Sequence, residues 1–526
     1  MKPMDALLEI LRDEGVDRIF GNPGTTELPL IEALADNPDL EYVLAVQEHT
    51  AVAMADGYAR ATGRTSFVNL HIAAGVANGL IGMLNAKRSR IPMVVTAGQQ
   101  DRRHLIEDPM LAGDLVGIAR AATKHAVEVQ HARDLPIVLR RAFALAAQPP
   151  AGPVFVSLPM DLLREDTDVT VPERSALAPL GAATGLDQAA WLLTAASRPA
   201  IVAGDGVGRD GAVAQLVTLA DRLNATVFHA PMHDWVNFPF THPLHAGMLT
   251  PKNEAVRKAL SGHDVVLIVG SHAFSPHHYT EGPAIPPGTR VVQLDDDPAE
   301  PGRNFAVELG LTGGIRASLS QLGTQIRRRT NPRRTQSSPA RRVSLTTVTA
   351  PLDPLVAAQA VADGLPRDAV VVDEAITVGI ALRPLLRLDT PGSFVHTIGG
   401  GLGWGIGAAV GTKMARQEQP VVAVLGDGCT LFGLQGLWSA ARYRVPVLFL
   451  VMSNGEYRTL KDTLAEAGAV GPHPGLDLGR MDWLAAGRFF DIEARQVTSD
   501  AELRAVVSRA DMLTAPMLVD VPIMGA

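Results

Sequence analysis

Apolar residues in this chain fall into short β-branched runs separated by stretches of helical period, and the alternation recurs in three blocks. In the first block, residues 16–20 predict a strand that stops at Gly21-Asn22-Pro23-Gly24. Residues 42–46 and 66–70 predict two more strands, the latter breaking at His71, and 91–97 and 154–158 complete the set. Between them a helix is predicted from Glu48 to about Ala61, closed by Gly63, and a small-residue helix over 73–86. The second block has strands at 200–203, 226–228, 265–269 and 290–294; the third has 369–373, 421–425, 445–452 and 517–521. Continuous apolar strands alternating with helices predict parallel sheets covered on both faces. The expected fold class is therefore α/β, with three doubly wound parallel-sheet domains at 1–165, 186–323 and 352–526. Pro-, Ala- and Gly-rich residues 166–185 and polar, Arg-rich residues 324–351 read as linkers.

Composition narrows the class. A chain of 526 residues suits about three domains at roughly 150 residues each. With 47% hydrophobic and 19% charged residues it must bury large cores, which excludes disorder as the main state. The longest apolar run, 445–452, is far short of the roughly 20 residues of a membrane span, and the charged first helix does not read as a secretory signal. A net charge of −8 offers no basic field for nucleic acid. The Arg run around Arg327, Arg333 and Arg341 lacks interleaved aromatics and reads as a solvated linker. The single cysteine, Cys429, excludes an internal disulfide and suits a cytoplasmic compartment.

The chemistry concentrates in residues 421–455. One buried strand delivers Gly426-Asp427-Gly428 at its C-terminal end, and the next delivers Ser453-Asn454-Gly455. Ligands of open parallel sheets bind beyond such strand ends. A carboxylate, an amide oxygen and a backbone carbonyl are hard donors suited to Mg²⁺ or Ca²⁺. The flanking glycines admit close approach, and the helix start that follows offers N–H groups to a phosphate. The unit therefore reads as a metal-bridged diphosphate site. Gly204-Asp205-Gly206-Val207-Gly208 looks like a dinucleotide loop, but no acidic residue clearly ends the following strand, so it reads as a decoy.

Gly426-Asp427-Gly428 with Asn454 resembles the thiamin-diphosphate signature. Phe20-Gly21-Asn22-Pro23-Gly24, Gln47-Glu48, Asn69-Leu70-His71, Thr96-Ala97-Gly98-Gln99-Gln100 and Gly400-Gly401-Leu402-Gly403 extend that likeness along the chain. The chain thus resembles the thiamin-diphosphate-dependent 2-oxo acid decarboxylases, most of all their benzoylformate decarboxylase branch. The resemblance implies pyrimidine-binding, middle and diphosphate-binding domains, matching the three blocks. It also implies a homotetramer, a dimer of dimers with active sites between subunits, and thiamin diphosphate with Mg²⁺ or Ca²⁺ as cofactors. No nucleic acid, no membrane and no nucleotide in the middle domain are expected.

Residue by residue, the resemblance implies that Glu48 shares a proton with the cofactor's pyrimidine nitrogen. Gly400 presents a backbone carbonyl, and Leu402 supports the bent cofactor. Thr377, Gly426, Asp427, Gly428, Cys429, Thr430, Asn454, Glu456 and Tyr457 surround the diphosphate, with Asp427, Asn454 and Glu456 at the metal. His71 and His277 are the proton-transfer candidates, His277 having His272 and His278 as rivals. Thr25 stands where the branch has a serine that orients the substrate carboxylate. Met110 and Leu111 keep the pocket apolar, whereas His396 and Thr463 replace aromatics, and Arg458 and Lys461 either add positive charge near its mouth or simply face water. The implied reaction is non-oxidative decarboxylation through an ylide and enamine, making the protein a carboxy-lyase. An aryl glyoxylate such as benzoylformate is the substrate expected first, with a more polar 2-oxo acid behind it; the alternative is an acetolactate-synthase-like carboligase.

Overall fold

Three six-stranded sheets form the framework of the computed structural model, which describes residues 1–329 and 348–526. Part of the Arg-rich linker, including Arg333 and Arg341, lies outside the described residues. In the first sheet the strands are β1 (Arg18–Gly21), β2 (Glu41–Leu44), β3 (Ser66–Leu70), β4 (Met93–Gln99), β5 (His125–Glu128) and β6 (Pro153–Pro159), in the order β2-β1-β3-β4-β6-β5. The second has β7 (Pro199–Ala203), β8 (Thr226–His229), β9 (His245–Met248), β10 (Val265–Val269), β11 (Arg290–Asp295) and β12 (Leu309–Thr312), in the order β12-β11-β10-β7-β8-β9. The third has β13 (Val370–Glu374), β14 (Phe394–His396), β15 (Val421–Gly426), β16 (Val447–Ser453), β17 (Glu493–Gln496) and β18 (Met517–Pro522), in the order β14-β13-β15-β16-β18-β17. Neighbours such as β13 and β15, or β7 and β10, pair in parallel. The expected α/β class holds.

Five strands escape the sequence reading: β5, β9, β12, β14 and β17. All five are sheet edges. An edge strand has one unpaired side, and four of these five keep partly exposed side chains, so they lack the apolar run that marks β15 or β16.

The described residues form two compact units. The first comprises residues 1–176, 348–381 and 397–526; the second comprises 177–329 and 382–396. In the second unit one sheet face packs on Leu192, Leu216, Leu223 and Leu319, and the other on Val256, Leu260 and Phe274. Linker residues next to the undescribed stretch are docked rather than solvated: Ile326 is buried, and Arg329 N–H donates to Arg222 O at 3.0 Å.

In the first unit, the two sheets meet through a pair of helices, Glu48–Thr62 and Trp404–Ala415. The Gln47 side chain caps the first helix by accepting Thr50 N–H at 2.9 Å, and Gly63 ends it at φ +68°. Their crossing is closer than ordinary side chains permit. A Cβ on Gly57 would strike the Ala408 carbonyl, one on Gly411 would strike the Met54 carbonyl, and one on Gly407 would lie 2.7 Å from Ala53 Cβ.

Gly57→Ala is therefore expected to destabilise the protein by about 1–3 kcal/mol through overpacking. Gly323→Ala, in a helix where a Cβ meets nothing within 4 Å, is expected to stabilise it by about 0.4–1 kcal/mol. Urea denaturation of both variants checks the contrast, and equal shifts would remove the close crossing as the cause.

Candidate active site

β15 and β16 are adjacent, with Gly426 in register with Met452, so Asp427 and Asn454 leave neighbouring strand ends. The buried Asp427 carboxylate accepts N–H bonds from Asn454 at 3.0 Å, Gly455 at 2.7 Å and Gly428 at 2.8 Å. Asn454 Oδ1 in turn accepts Glu456 N–H at 3.1 Å. Gly455 sits at φ +71°, and a Cβ there would come within 2.9 Å of Gly479 O. Gly428 faces the Tyr457 ring closely enough that a Cβ would lie 2.8 Å from it, while Gly426 has no neighbour nearer than 3.6 Å to such an atom. Thr430 Oγ1 donates to Gly426 O at 2.8 Å, and Thr377 Oγ1 lies 3.1 Å from Thr459 Oγ1. Burial, reinforced by Glu374, Asp373 and Asp427, pushes the Cys429 thiol well above its usual range, which suits a packed neutral side chain.

This donor set fits a hard divalent cation and a diphosphate. Among the described residues no group of three or more His, Cys, Asp or Glu gathers as a metal site. An ion here would take the Asp427 carboxylate, the Asn454 amide oxygen and a main-chain carbonyl. The Glu456 carboxylate is engaged, accepting from Lys461 Nζ and from the Ala526 N–H. Arg458 and Lys461, expected to add charge near the pocket mouth unless they face water, are both engaged within the chain. Lys461 is paired to two acids, and Arg458 donates to Met524 O at 2.6 Å and Gly525 O at 2.9 Å.

A second cluster surrounds Glu48 at the start of its helix. The buried carboxylate accepts Asn22 Nδ2 at 3.2 Å and Asn78 Nδ2 at 3.0 Å. Above it Gly75 leaves room, since a Cβ would lie 3.3 Å from Glu48 Oε1. Burial lowers the neighbouring His49 to about 4, against the opposing pull of the Leu402 and Gly403 main chain, so its ring is neutral at pH 7. Asn85 ties down the Gly400–Gly403 loop, donating to Gly401 O at 2.9 Å and accepting its N–H at 3.0 Å. Glu374 closes the same loop by accepting Trp404 N–H at 3.0 Å and Gly405 N–H at 2.9 Å. Burial nevertheless dominates those N–H groups and raises Glu374 to about 8.

His71 follows β3, and its Nδ1 lies 2.7 Å from Glu27 Oε2. Glu27 is a residue the sequence reading missed. It is buried and also accepts Gly24 N–H at 2.9 Å, Thr26 Oγ1 at 2.8 Å and Gly98 N–H at 2.8 Å. A carboxylate only accepts, so Nδ1 carries the proton and Nε2 is left for other partners. The ring packs so tightly on Gly24 that no side chain fits there. The next residue, Ile72, is held at φ +46°, a strained conformation for a β-branched side chain. Thr25 opens the same turn and is exposed, as are Met110 and Leu111. Thr463 turns its hydroxyl back to Thr459 O at 2.8 Å.

Two expected site residues belong to the second unit. His277, in the loop after β10, is exposed with Nδ1 3.0 Å from His278 Nε2, and His272 pairs with buried Glu300 at 2.7 Å. His396 is buried, its Nε2 3.2 Å from Arg383 Nη2. The Gly204–Gly208 loop is filled by the protein itself. Gly206 N–H bonds Gly270 O at 2.9 Å, Gly208 N–H bonds Asn237 Oδ1 at 3.1 Å, and Asp205 accepts Asp234 N–H at 3.0 Å.

Comparison with known proteins converges on one family. Residues 1–118 match the N-terminal TPP binding domain of thiamine pyrophosphate enzymes, 186–322 their central domain, and 377–521 their C-terminal TPP binding domain. The chain is 34% identical over 522 residues to the benzoylformate decarboxylase of Pseudomonas aeruginosa, covering 98% of each. It is 30% identical to a putative acetolactate synthase large subunit of Mycobacterium tuberculosis, covering 99% of each. Among solved structures, a thiamine diphosphate-dependent 4-hydroxybenzoylformate decarboxylase of Rhodococcus jostii superposes with a TM-score of 0.94 at 30% identity, covering 100% of both chains.

The raised Glu374 carboxyl has a consequence for stability. Its pKa rises from 4.5 in the unfolded chain to about 8 in the fold, so folding favours its protonated form. The stability this contributes is complete below pH 4.5 and is lost as pH climbs towards about 8. Melting temperatures of wild type should therefore fall relative to Glu374→Gln across that window. Parallel profiles would show that Glu374 is ionised throughout.

Proposed function

The chain belongs to the thiamine pyrophosphate (thiamin diphosphate) enzyme family, and we propose that its reaction is the non-oxidative decarboxylation of a 2-oxo acid. One proton is consumed, and CO₂ and an aldehyde are released. An aryl glyoxylate such as benzoylformate is the substrate expected first, and the protein is a carboxy-lyase. The observation that carries this reading is His71 held by buried Glu27 at 2.7 Å, because a decarboxylase needs a positioned acid to protonate its product.

Thiamin diphosphate, when bound, supplies the nucleophile and accepts the electron pair released with CO₂. Asp427 and Asn454, with the Glu456 main-chain carbonyl, would hold Mg²⁺ or Ca²⁺ against the diphosphate, and Gly426, Gly428, Cys429, Thr430, Tyr457 and Thr377 would enclose it. Glu48, kept in place by Asn22 and Asn78, would hold a proton for the pyrimidine nitrogen. Gly400 and Leu402 would support the ring beside it. His71 Nε2 delivers a proton at the reacting carbon, His277 serves as the second acid, and the Thr25 hydroxyl orients the substrate carboxylate. Met110 and Leu111 supply apolar wall. Thr463 widens the pocket without adding polarity, since its hydroxyl is engaged within its own helix, and His396 stands in place of a second aromatic.

Domain limits of 1–165, 186–323 and 352–526 and a cytoplasmic homotetramer with sites between subunits complete the proposal. Among the described residues no helix is long and apolar enough to cross a membrane.

The deciding experiment offers a panel of 2-oxo acids with thiamin diphosphate and Mg²⁺ and measures CO₂, aldehyde and ketol. Aldehyde as the main product is expected. Ketol in its place would assign the carboligase chemistry suggested by the acetolactate synthase relative. In the same assay, Glu48→Gln should nearly abolish turnover. His71→Ala should lower kcat by ~10²–10⁴, and Glu27→Gln should lower it by less, through a misoriented imidazole. Full activity in His71→Ala would reassign that ring to structure.

A further inference from the structure

Beside the proposed cation site lies a side-chain clamp to which the reading above gives no task. Lys461, in the helix Arg458–Glu466, donates from Nζ to Glu456 and to Asp477, the latter at 2.5 Å. The two acids stand on facing segments, Glu456 and Asp477 forming an antiparallel bridge. Main-chain bonds flank it: Tyr457 N–H to Leu476 O at 2.8 Å, Leu478 N–H to Gly455 O at 2.8 Å and Gly479 N–H to Gly455 O at 3.0 Å. The bridged strip thus begins next to Asn454, whose side chain accepts Glu456 N–H and whose own N–H is held by Asp427.

We propose that Lys461 is a positioning residue for the cation: by holding Glu456 against Asp477 it fixes the 454–456 turn that presents the amide and main-chain oxygens. The proposal rests on the reading of Asp427 and Asn454 as cation ligands. The pair to Asp477 is solvent-exposed, its carboxylate at 76% relative exposure, and exposed ion pairs contribute little to folding. The leverage of Lys461 is geometric. Glu456 lies two residues from Asn454 and is hydrogen-bonded to its side chain, so a shift of Glu456 moves a ligand directly. Removing a group that orients a metal ligand typically weakens metal binding about 10–100-fold.

The test titrates Mg²⁺ by calorimetry into the full chain mixed with excess thiamin diphosphate, with melting curves of the cofactor-free protein alongside. Lys461→Met is expected to weaken Mg²⁺ binding about tenfold or more while the cofactor-free melting temperature stays near wild type. Lys461→Arg should restore the affinity, because a guanidinium spans both acids. Unchanged affinity in Lys461→Met overturns the clamp alone, provided wild type requires Mg²⁺ and Asp427→Asn loses it. A wild type that binds thiamin diphosphate equally well in a chelator overturns the cation reading and the clamp with it. Should Lys461→Met not fold, Asp477→Asn carries the test, and unchanged Mg²⁺ affinity there overturns the proposal.

Discussion

Glycine at 57, 407 and 411 lets two helices of the first unit cross until the backbone of one touches the backbone of the other. The cluster around Glu48 depends on that contact. Glu48 stands at the N-terminus of one helix, and the Gly400–Gly403 loop leads into the N-terminus of the other. Separating the axes by even one methyl group would move the carboxylate relative to the loop, and the His49 and Asn85 contacts that join them would go. The cost is a helix buried over nearly its whole length, which accounts for its many alanines.

Four of the first unit's buried carboxyls show how differently such groups can be surrounded. Glu27 is satisfied by two main-chain N–H groups, a threonine hydroxyl and His71. Asp427 is satisfied by three main-chain N–H groups, and Glu48 by two amide side chains. Glu374 meets two N–H groups, yet burial still raises it to about 8. The number and kind of donors separate acids that composition treats alike. A carboxylate that orients a histidine, an aspartate held by main-chain N–H groups and a glutamate held by two side-chain amides all arise from one scaffold.

The two Gly-Asp-Gly turns make the same point about surroundings. Both follow a parallel strand and both aspartates accept main-chain N–H bonds. At Gly206 a Cβ would lie 2.7 Å from Gly270 Cα, and the loop N–H groups are consumed within the second unit. At Gly426 there is room, and the adjacent strand end supplies an amide oxygen. The tripeptide is a turn in one place and a candidate ligand site in the other because of what lies across from it.

Hydrophobic periodicity by itself determined the fold class and the interior strands. Strands buried on both faces, such as Val421–Gly426 and Val447–Ser453, must be apolar throughout, and that is readable in one dimension. Residues carried on those strand ends, Asp427 and Asn454, were legible for the same reason. Four partly exposed edge strands were not, because exposure frees their composition; β2, the sixth edge, was legible despite its exposure. Glu27 reads as an ordinary acid after a Gly-Asn-Pro-Gly turn; its role exists only because folding brings His71 and Gly98, 44 and 71 residues away, onto its two oxygens. Lys461 reads as a free surface charge until Glu456 and Asp477 are seen to bracket it. Local pattern decides which segments are buried, since burial follows from nearby side chains. Which polar group meets which donor is settled by contacts between distant segments, and those only the tertiary structure supplies.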